Sequence, residues 1–257
     1  MIPISDDNPR VGFPLATATI IGLNALVWVF IQGLGDPRAL AESMCLYALI
    51  PGELLGNVPE GTVVPIGRGL ACELEGSPRP FTVVSSMFMH GGWFHIIGNM
   101  WFLWIFGDNV EDEIGPVRFV IFYLLCGLAA AFAQSLINPE SVIPMVGASG
   151  AIGGVMGGYA LLFPKVRVKL LIFLGFYVTV LAVPAIYMLG YWFLLQLLMA
   201  LPTLGTDQGG VAFWAHMGGF LAGLALVRLF RRPGSSGRQR QRERERRGRD
   251  SGNGGWF

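Results

Sequence analysis

Gly147-Ala148-Ser149-Gly150-Ala151-Ile152-Gly153-Gly154-Val155-Met156-Gly157-Gly158 opens an apolar run that continues to Phe163. A glycine costs a helix about 1 kcal/mol relative to alanine and gives lipid no side chain to pack against. Glycines at 147, 150, 153, 154, 157 and 158 therefore predict a span that other backbones approach closely. Ser149 stands at its mouth, where the small residues converge. A serine in such a helix can also bond back to its own carbonyls or simply pack, so the motif alone decides nothing.

The histidines change the weighing. The chain has three, His90, His95 and His216, and each lies in or beside a strongly apolar segment. Ionisable groups in hydrocarbon cost about 3 kcal/mol each when charged, so intramembrane histidines are functional candidates. The composition agrees with that setting: 53% of the 257 residues are hydrophobic and 14% charged, which excludes an ordinary soluble domain. The formal net charge of +1 conceals an asymmetry, because ten of the eighteen basic residues fall at or after Arg228. That bias is topological and does not indicate a nucleic-acid partner.

Outward from the glycine run, the sequence divides into an all-α, polytopic membrane protein. Residues 1–12 read as a short polar N-terminus, and residues 13–230 as a six-span membrane domain. Residues 13–31 have the length of one span. Residues 33–80 mix Gly, Pro, Arg and Glu with short apolar pieces, and read as a structured loop lying partly in the interface. Its two cysteines, Cys45 and Cys72, are compatible with a disulfide or with two packed thiols. The second span, residues 81–107, carries His90, His95 and Asn99; His95 and Asn99 are spaced i, i+4 and share a helix face. An acidic loop, residues 108–116, leads to a third span at 117–137.

Beyond the glycine run, residues 168–201 hold either one span or two short ones broken at Pro184. Two would reverse the direction of the arginine-rich tail, so one is expected, at 184–201, preceded by an interfacial or re-entrant piece. The last span, residues 211–230, contains His216, Gly219 and Gly223 on one stripe, which predicts close packing against Gly154 and Gly158 of the fourth. Residues 231–257 are too polar to fold alone and read as a disordered cytosolic tail.

With six spans, the second, fourth and sixth run in the same direction. His95, Asn99, Ser149 and His216 all lie near the beginnings of those helices, at one depth on one side, about 5–10 Å below the surface. The positive-inside tendency places both termini in the cytosol and that site on the extracytoplasmic side. The short termini and lack of a transit peptide point to a bacterial plasma membrane.

Taken together, His90-x4-His95-x3-Asn99, Gly147-Ala148-Ser149-Gly150 and Ala215-His216-x2-Gly219-x3-Gly223 resemble the rhomboid family of intramembrane serine proteases, and the resemblance covers essentially the whole six-span core. It implies a Ser149–His216 catalytic dyad without aspartate. It implies an oxyanion met by the Ser149 backbone N–H together with His95 and Asn99, with Gly150 and His90 in support. The substrates would be membrane proteins, cut within or beside their transmembrane segments in the lipid bilayer, with no cofactor and no metal. Two positions depart from the family. Phe81-Thr82 stand where many members carry Trp-Arg, and Gly153 stands where some carry a tyrosine packed under the histidine. Another group must then orient His216.

Two rival readings follow from the same residues. A non-catalytic rhomboid-like protein that binds membrane clients typically lacks the serine or the histidine, and this chain has both. A transporter would want paired carboxylates or an inverted repeat, and neither is present in the proposed spans.

Overall fold

In the computed structural model, residues 2–10, 12–67, 69–204 and 210–232 are described. In order, they form β1 (Ile2–Asp6), α1 (Leu15–Phe30), α2 (Pro37–Tyr47), α3 (Pro51–Leu54), β2 (Val63–Gly67), β3 (Leu70–Glu73), α4 (Thr82–Ser85) and α5 (Trp93–Ile114). There follow α6 (Pro116–Ile137), α7 (Ser149–Leu162), β4 (Arg167–Leu174), β5 (Tyr177–Pro184), α8 (Ala185–Ala200) and α9 (Phe213–Phe230). The protein is a mostly helical membrane protein. Pro116–Ile137, Ala185–Thr203 and Phe213–Phe230 are long and apolar enough to cross a membrane, while Leu15–Phe30 and Ser149–Leu162 are apolar but shorter. The expected tail falls, from residue 233 on, outside the described residues.

The glycine run forms α7 at the centre of the bundle, with all residues from Gly150 to Ala160 buried. It lies between α6 and α9, and the contacts are backbone-close. A Cβ on Gly154 would sit 2.3 Å from the Cys126 Cβ of α6, and one on Gly157 would sit 2.1 Å from the Phe220 carbonyl oxygen of α9. From the α9 side, Cβ atoms on Gly219 and Gly223 would each lie 1.9 Å from a carbonyl oxygen of α7, those of Gly150 and Gly154. Gly158 faces Phe122 and Val227 side chains, 3.1–3.2 Å from where its Cβ would be. Any side chain at these positions would hold the helices further apart, which is why small residues carry the seam.

Several expectations are corrected. The protein is not all-α: it contains a three-stranded sheet in the order β1-β4-β5 and a β2-β3 hairpin. The piece before Pro184, expected to be interfacial or re-entrant, is a β-hairpin. Its β-branched residues favour strand, and β4 and β5 pair in continuous antiparallel register from Arg167↔Pro184 to Leu174↔Tyr177. Gly175, at φ +63°, takes the first place of the two-residue turn. The nominal N-terminal tail supplies β1, paired with β4 from Ile2↔Leu171 to Asp6↔Val168.

The supposed acidic loop is the last two turns of α5. Three of its carboxylates, Asp108, Glu111 and Glu113, are buried and partnered, and the helix continues through them to Ile114. Asp108 pairs with Arg10 at 2.9 Å, and Glu113 with Arg231 at 2.5 Å. Glu111 accepts from the N–H groups of Ala16 and Thr17 at 2.9 and 2.8 Å, and so caps α1, which has no side-chain cap of its own. At the same end, Tyr159 of α7 donates to Asp6, and Asn109 donates to Asp6 at 3.1 Å. The N-terminal segment is thereby fastened to the end of α7 distant from Ser149.

At the other end, residues 33–80 contain α2, α3 and the β2-β3 hairpin. Cys45 and Cys72 are joined in a disulfide, Cα atoms 5.4 Å apart, beside a small core of Ile50, Val58, Val64 and Leu74. Glu53, buried, is paired with Arg79, whose Nη1 also donates to the Cys45 carbonyl at 2.9 Å. This loop holds the approach to α7, where Leu49 and Met145 exchange backbone hydrogen bonds of 3.0 and 2.7 Å; beyond the loop, Gly147 N–H donates to the Ser86 carbonyl at 2.9 Å.

Candidate functional site

The chain enters α7 through Gly147, whose φ of +125° suits glycine. A Cβ there would also lie 2.7 Å from His95 Nε2. Gly147 thus brings the start of α7 directly against the α5 face that carries His95 and Asn99. Ser149 is the first residue of α7, so its backbone N–H and those just after it have no partner within the helix and lie at its positive end.

The base of α9 is fixed from two sides. Gln134 of α6 accepts from the Ala215 N–H at 3.3 Å, and Trp214 Nε1 donates to Thr203 Oγ1 at 3.2 Å. With α9 seated on α7 through its glycines, His216 Nε2 comes to 2.8 Å from Ser149 Oγ. The other ring nitrogen, Nδ1, lies 2.7 Å from Gln196 Oε1 of α8. The Trp192 ring, one turn earlier on α8, covers the imidazole with centroids 5.9 Å apart.

On the α5 side, the His95 ring is fixed by Gly91 N–H, which donates to Nδ1 at 3.2 Å. With Nδ1 accepting, the neutral ring carries its proton on Nε2, the atom beside Gly147. Asn99 is 8% exposed, and its Nδ2 has no hydrogen-bond partner among the described residues. A buried amide donor without a partner costs roughly 1–3 kcal/mol. Both groups line a cavity of about 560 Å³ that also contains Ser149, Gly150, Trp192 and His216. Its size is that of a site for a ligand or a short stretch of chain.

His90 stands apart from the cavity. It is fully buried, its ring packs edge-on against His95 with centroids 5.2 Å apart, and its backbone is clasped by Gln32 through two hydrogen bonds of 2.8 Å. The structure thus brings Ser149, His216, His95, Asn99 and Gly150 to one cavity, sets His90 behind it, and sets Gly154, Gly158 and Gly223 deeper along the helix seam. Sequence reading missed Gln196, Trp192, Gln134 and Gln32. A usable signal existed for the first: Gln196 is the sole amide side chain in an otherwise apolar and aromatic α8. Among the described residues no group of three or more His, Cys, Asp or Glu is placed to hold a metal ion.

Residues 78–233 match a family model described as the Rhomboid domain. A chloroplastic rhomboid-like protein 11 of Arabidopsis thaliana is 37% identical over 78 residues, 30% of this chain and 28% of that protein. The mitochondrial rhomboid protein 1 of Saccharomyces cerevisiae is 28% identical over 149 residues, 56% of this chain and 40% of that protein. The mitochondrial presenilin-associated rhomboid-like protein of Bos taurus is 31% identical over 143 residues, 54% and 35% of the two chains. The chain therefore spans well under half the length of these relatives. They also overturn the expectation of a bacterial plasma membrane, since all three are organellar proteins of eukaryotes. Compartment is addressed by targeting segments and not by a membrane core of this kind, so the core could not reveal it.

Proposed function

The chain belongs to the rhomboid family, and from that premise we propose that it is an intramembrane serine endopeptidase acting on membrane-protein substrates through Ser149 and His216. The observation that carries the reading is the 2.8 Å approach of His216 Nε2 to Ser149 Oγ inside the cavity that His95 and Asn99 line. We read α1, α5, α6, α7, α8 and α9 as the six spans.

In the proposed reaction, Ser149 Oγ attacks the scissile carbonyl carbon while its proton passes to His216 Nε2. The carbonyl oxygen becomes an oxyanion, met by the Ser149 N–H at the positive end of α7, by His95 Nε2–H and by Asn99 Nδ2–H. Collapse of the tetrahedral intermediate expels the amine, which takes the proton from His216 and leaves an acyl-serine. Water, deprotonated by the same nitrogen, then releases the acid and regenerates Ser149. The unpartnered Asn99 amide fits this role, because a donor kept free in the resting site gains its partner as the charge develops.

The test is purified protein in lipid or detergent with a fluorescently labelled single-span substrate, wild type beside Ser149→Ala. Loss of cleavage in the variant, with an unchanged thermal melt, is the expected result. Undiminished cleavage by Ser149→Ala would remove the serine mechanism.

A further inference from the structure

The Ser149–His216 pair has a third group behind it. His216 has two ring nitrogens, and once Nε2 is committed to Ser149 the proton of the neutral ring belongs on Nδ1. That nitrogen is 2.7 Å from Gln196 Oε1. Among the described residues of α7, α8 and α9 there is no Asp or Glu, so no carboxylate on these three helices competes for it. His95 of α5 is the titratable side chain that shares the cavity.

The packing explains why this group comes from α8. A side chain rising from α7 beneath the imidazole would have to start at Gly153, where a Cβ would already lie 2.9 Å from the His216 carbonyl oxygen. The glycine seam that presses α9 onto α7 thus closes that route. The helix α8 packs against α9 and reaches the ring from that side. It presents Trp192 and Gln196 one turn apart, so the ring is covered by one and hydrogen-bonded by the other.

Resting on the proteolytic reading above, we propose that Gln196 is the positioning residue of the base: its amide oxygen accepts from His216 Nδ1–H and holds the tautomer whose Nε2 is free to take the Ser149 proton. Gln196 acts through His216 and touches no reacting atom. Rotated by 180°, the same amide would donate to Nδ1 and place the ring proton on Nε2, the wrong nitrogen for a base. A glutamate at 196 can only accept, and a methionine of similar length has neither a strong donor nor a strong acceptor.

The experiment compares wild type, Gln196→Glu and Gln196→Met in lipid, using substrate cleavage and labelling of Ser149 by a fluorophosphonate. Gln196→Met should lower kcat and the labelling rate about 10-fold with KM unchanged, the worth of one neutral hydrogen bond realised in the transition state. Gln196→Glu should recover most of that rate and carry the acid limb of the kcat/KM profile upward by about 1 pH unit or more, because a carboxylate favours the protonated ring. Equal impairment of both variants, with lowered melting temperatures and an unmoved acid limb, would leave Gln196 a packing residue and overturn the proposal. A second readout stands apart from proteolysis. Labelling with ¹⁵N-histidine reports three imidazoles, one for each histidine. Wild type should show His216 protonated on Nδ1, and Gln196→Met a mixture of tautomers; identical His216 spectra in the two would also refute the assignment. Failure of wild type to cleave or label would sink the protease reading instead, leaving the tautomer to be decided by the spectra.

Discussion

Replacing Gly219 by alanine is the smallest change that tests whether the helix seam sets the chemistry. The added Cβ would lie 1.9 Å from the Gly150 carbonyl oxygen, whereas real Cβ contacts essentially never fall below 3.0 Å. The neighbour is backbone and cannot rotate away, so α9 must withdraw from α7 by about 1.1 Å at least. His216 precedes Gly219 by less than one turn and moves with it. Its 2.8 Å bond to Ser149 then stretches to about 3.9 Å, beyond hydrogen-bonding distance. A misplacement of about 1 Å costs on the order of 100-fold in rate. Gly219→Ala should therefore lose about 100-fold in fluorophosphonate labelling and in cleavage. Gly22→Ala, where nothing lies within 4 Å of the new methyl, should be neutral. Rates and thermal melts measured on the same preparations decide the matter. A Gly219→Ala protein that labels at the wild-type rate would mean the seam yields without moving His216.

Four further outcomes are expected. His216→Ala should abolish cleavage, and adding Ser149→Ala should make it no worse, because the two act as a unit; additive losses in steady-state kinetics would contradict this. Asn99→Ala should lower kcat by about 100-fold with KM and melting temperature nearly constant, since its Nδ2 gives up no resting hydrogen bond; a large drop in melting temperature with intact kcat would make it structural. Cys45→Ser should destabilise the loop that frames the site by about 3 kcal/mol, from the 27-residue separation the disulfide closes, and an unchanged denaturation midpoint would count against that estimate. Burial, reinforced by the nearby Asp108, pushes the Asp6 carboxyl up from 3.8 to about 6, against the opposing hydrogen bond from Tyr159. The folded protein then holds a proton that the unfolded chain releases, so Asp6 subtracts stability as pH rises from about 4 to 6. Asp6→Asn should melt increasingly above wild type across that window, and a pH-independent difference would show that Asp6 ionises normally.

The helical core was legible because glycine, serine and histidine carry unusual meaning inside apolar segments. The boundaries of α6, α7 and α9 follow from length, hydropathy and the breaks at Pro116, Pro144 and Pro164. Charge misled the reading at the end of α5. Asp108, Glu111 and Glu113 look like loop residues until their partners are known, and those partners, Arg10, the amides of Ala16 and Thr17, and Arg231, lie about 95 to 118 positions away. Pairing over such distances leaves no local trace. The β4-β5 hairpin failed for a different reason: a short apolar run reads equally as strand or helix. The β-branched content of Val178, Thr179, Val180 and Val183 was there to be counted, but β1 lay more than 160 residues away. Gln196 was visible as the lone amide of α8, yet its target could be named only once α8 was set beside α9.

The two proposed reacting side chains stand on very different supports. Ser149 begins the most enclosed helix of the bundle, tied at its mouth through Gly147 to Ser86, and at its far end through Tyr159 to Asp6 and the sheet. His216 begins a helix whose position is set by backbone contact with α7 at Gly219 and Gly223, so Oγ and Nε2 inherit their separation from a seam that near the site is backbone against backbone. That seam makes the distance reliable and removes from α7 any residue able to orient the ring. The orienting pair therefore sits on α8, of which only Ala185, Leu189 and Ala200 are buried. A single amide bond across to His216 then fixes what the backbone contact cannot, the rotation of the imidazole about its own side-chain torsions. Distance is thus held by glycine and orientation by glutamine, on separate helices, which is why Gly219→Ala should impair every substrate and every pH alike while Gln196→Glu should move the pH profile and leave the seam intact.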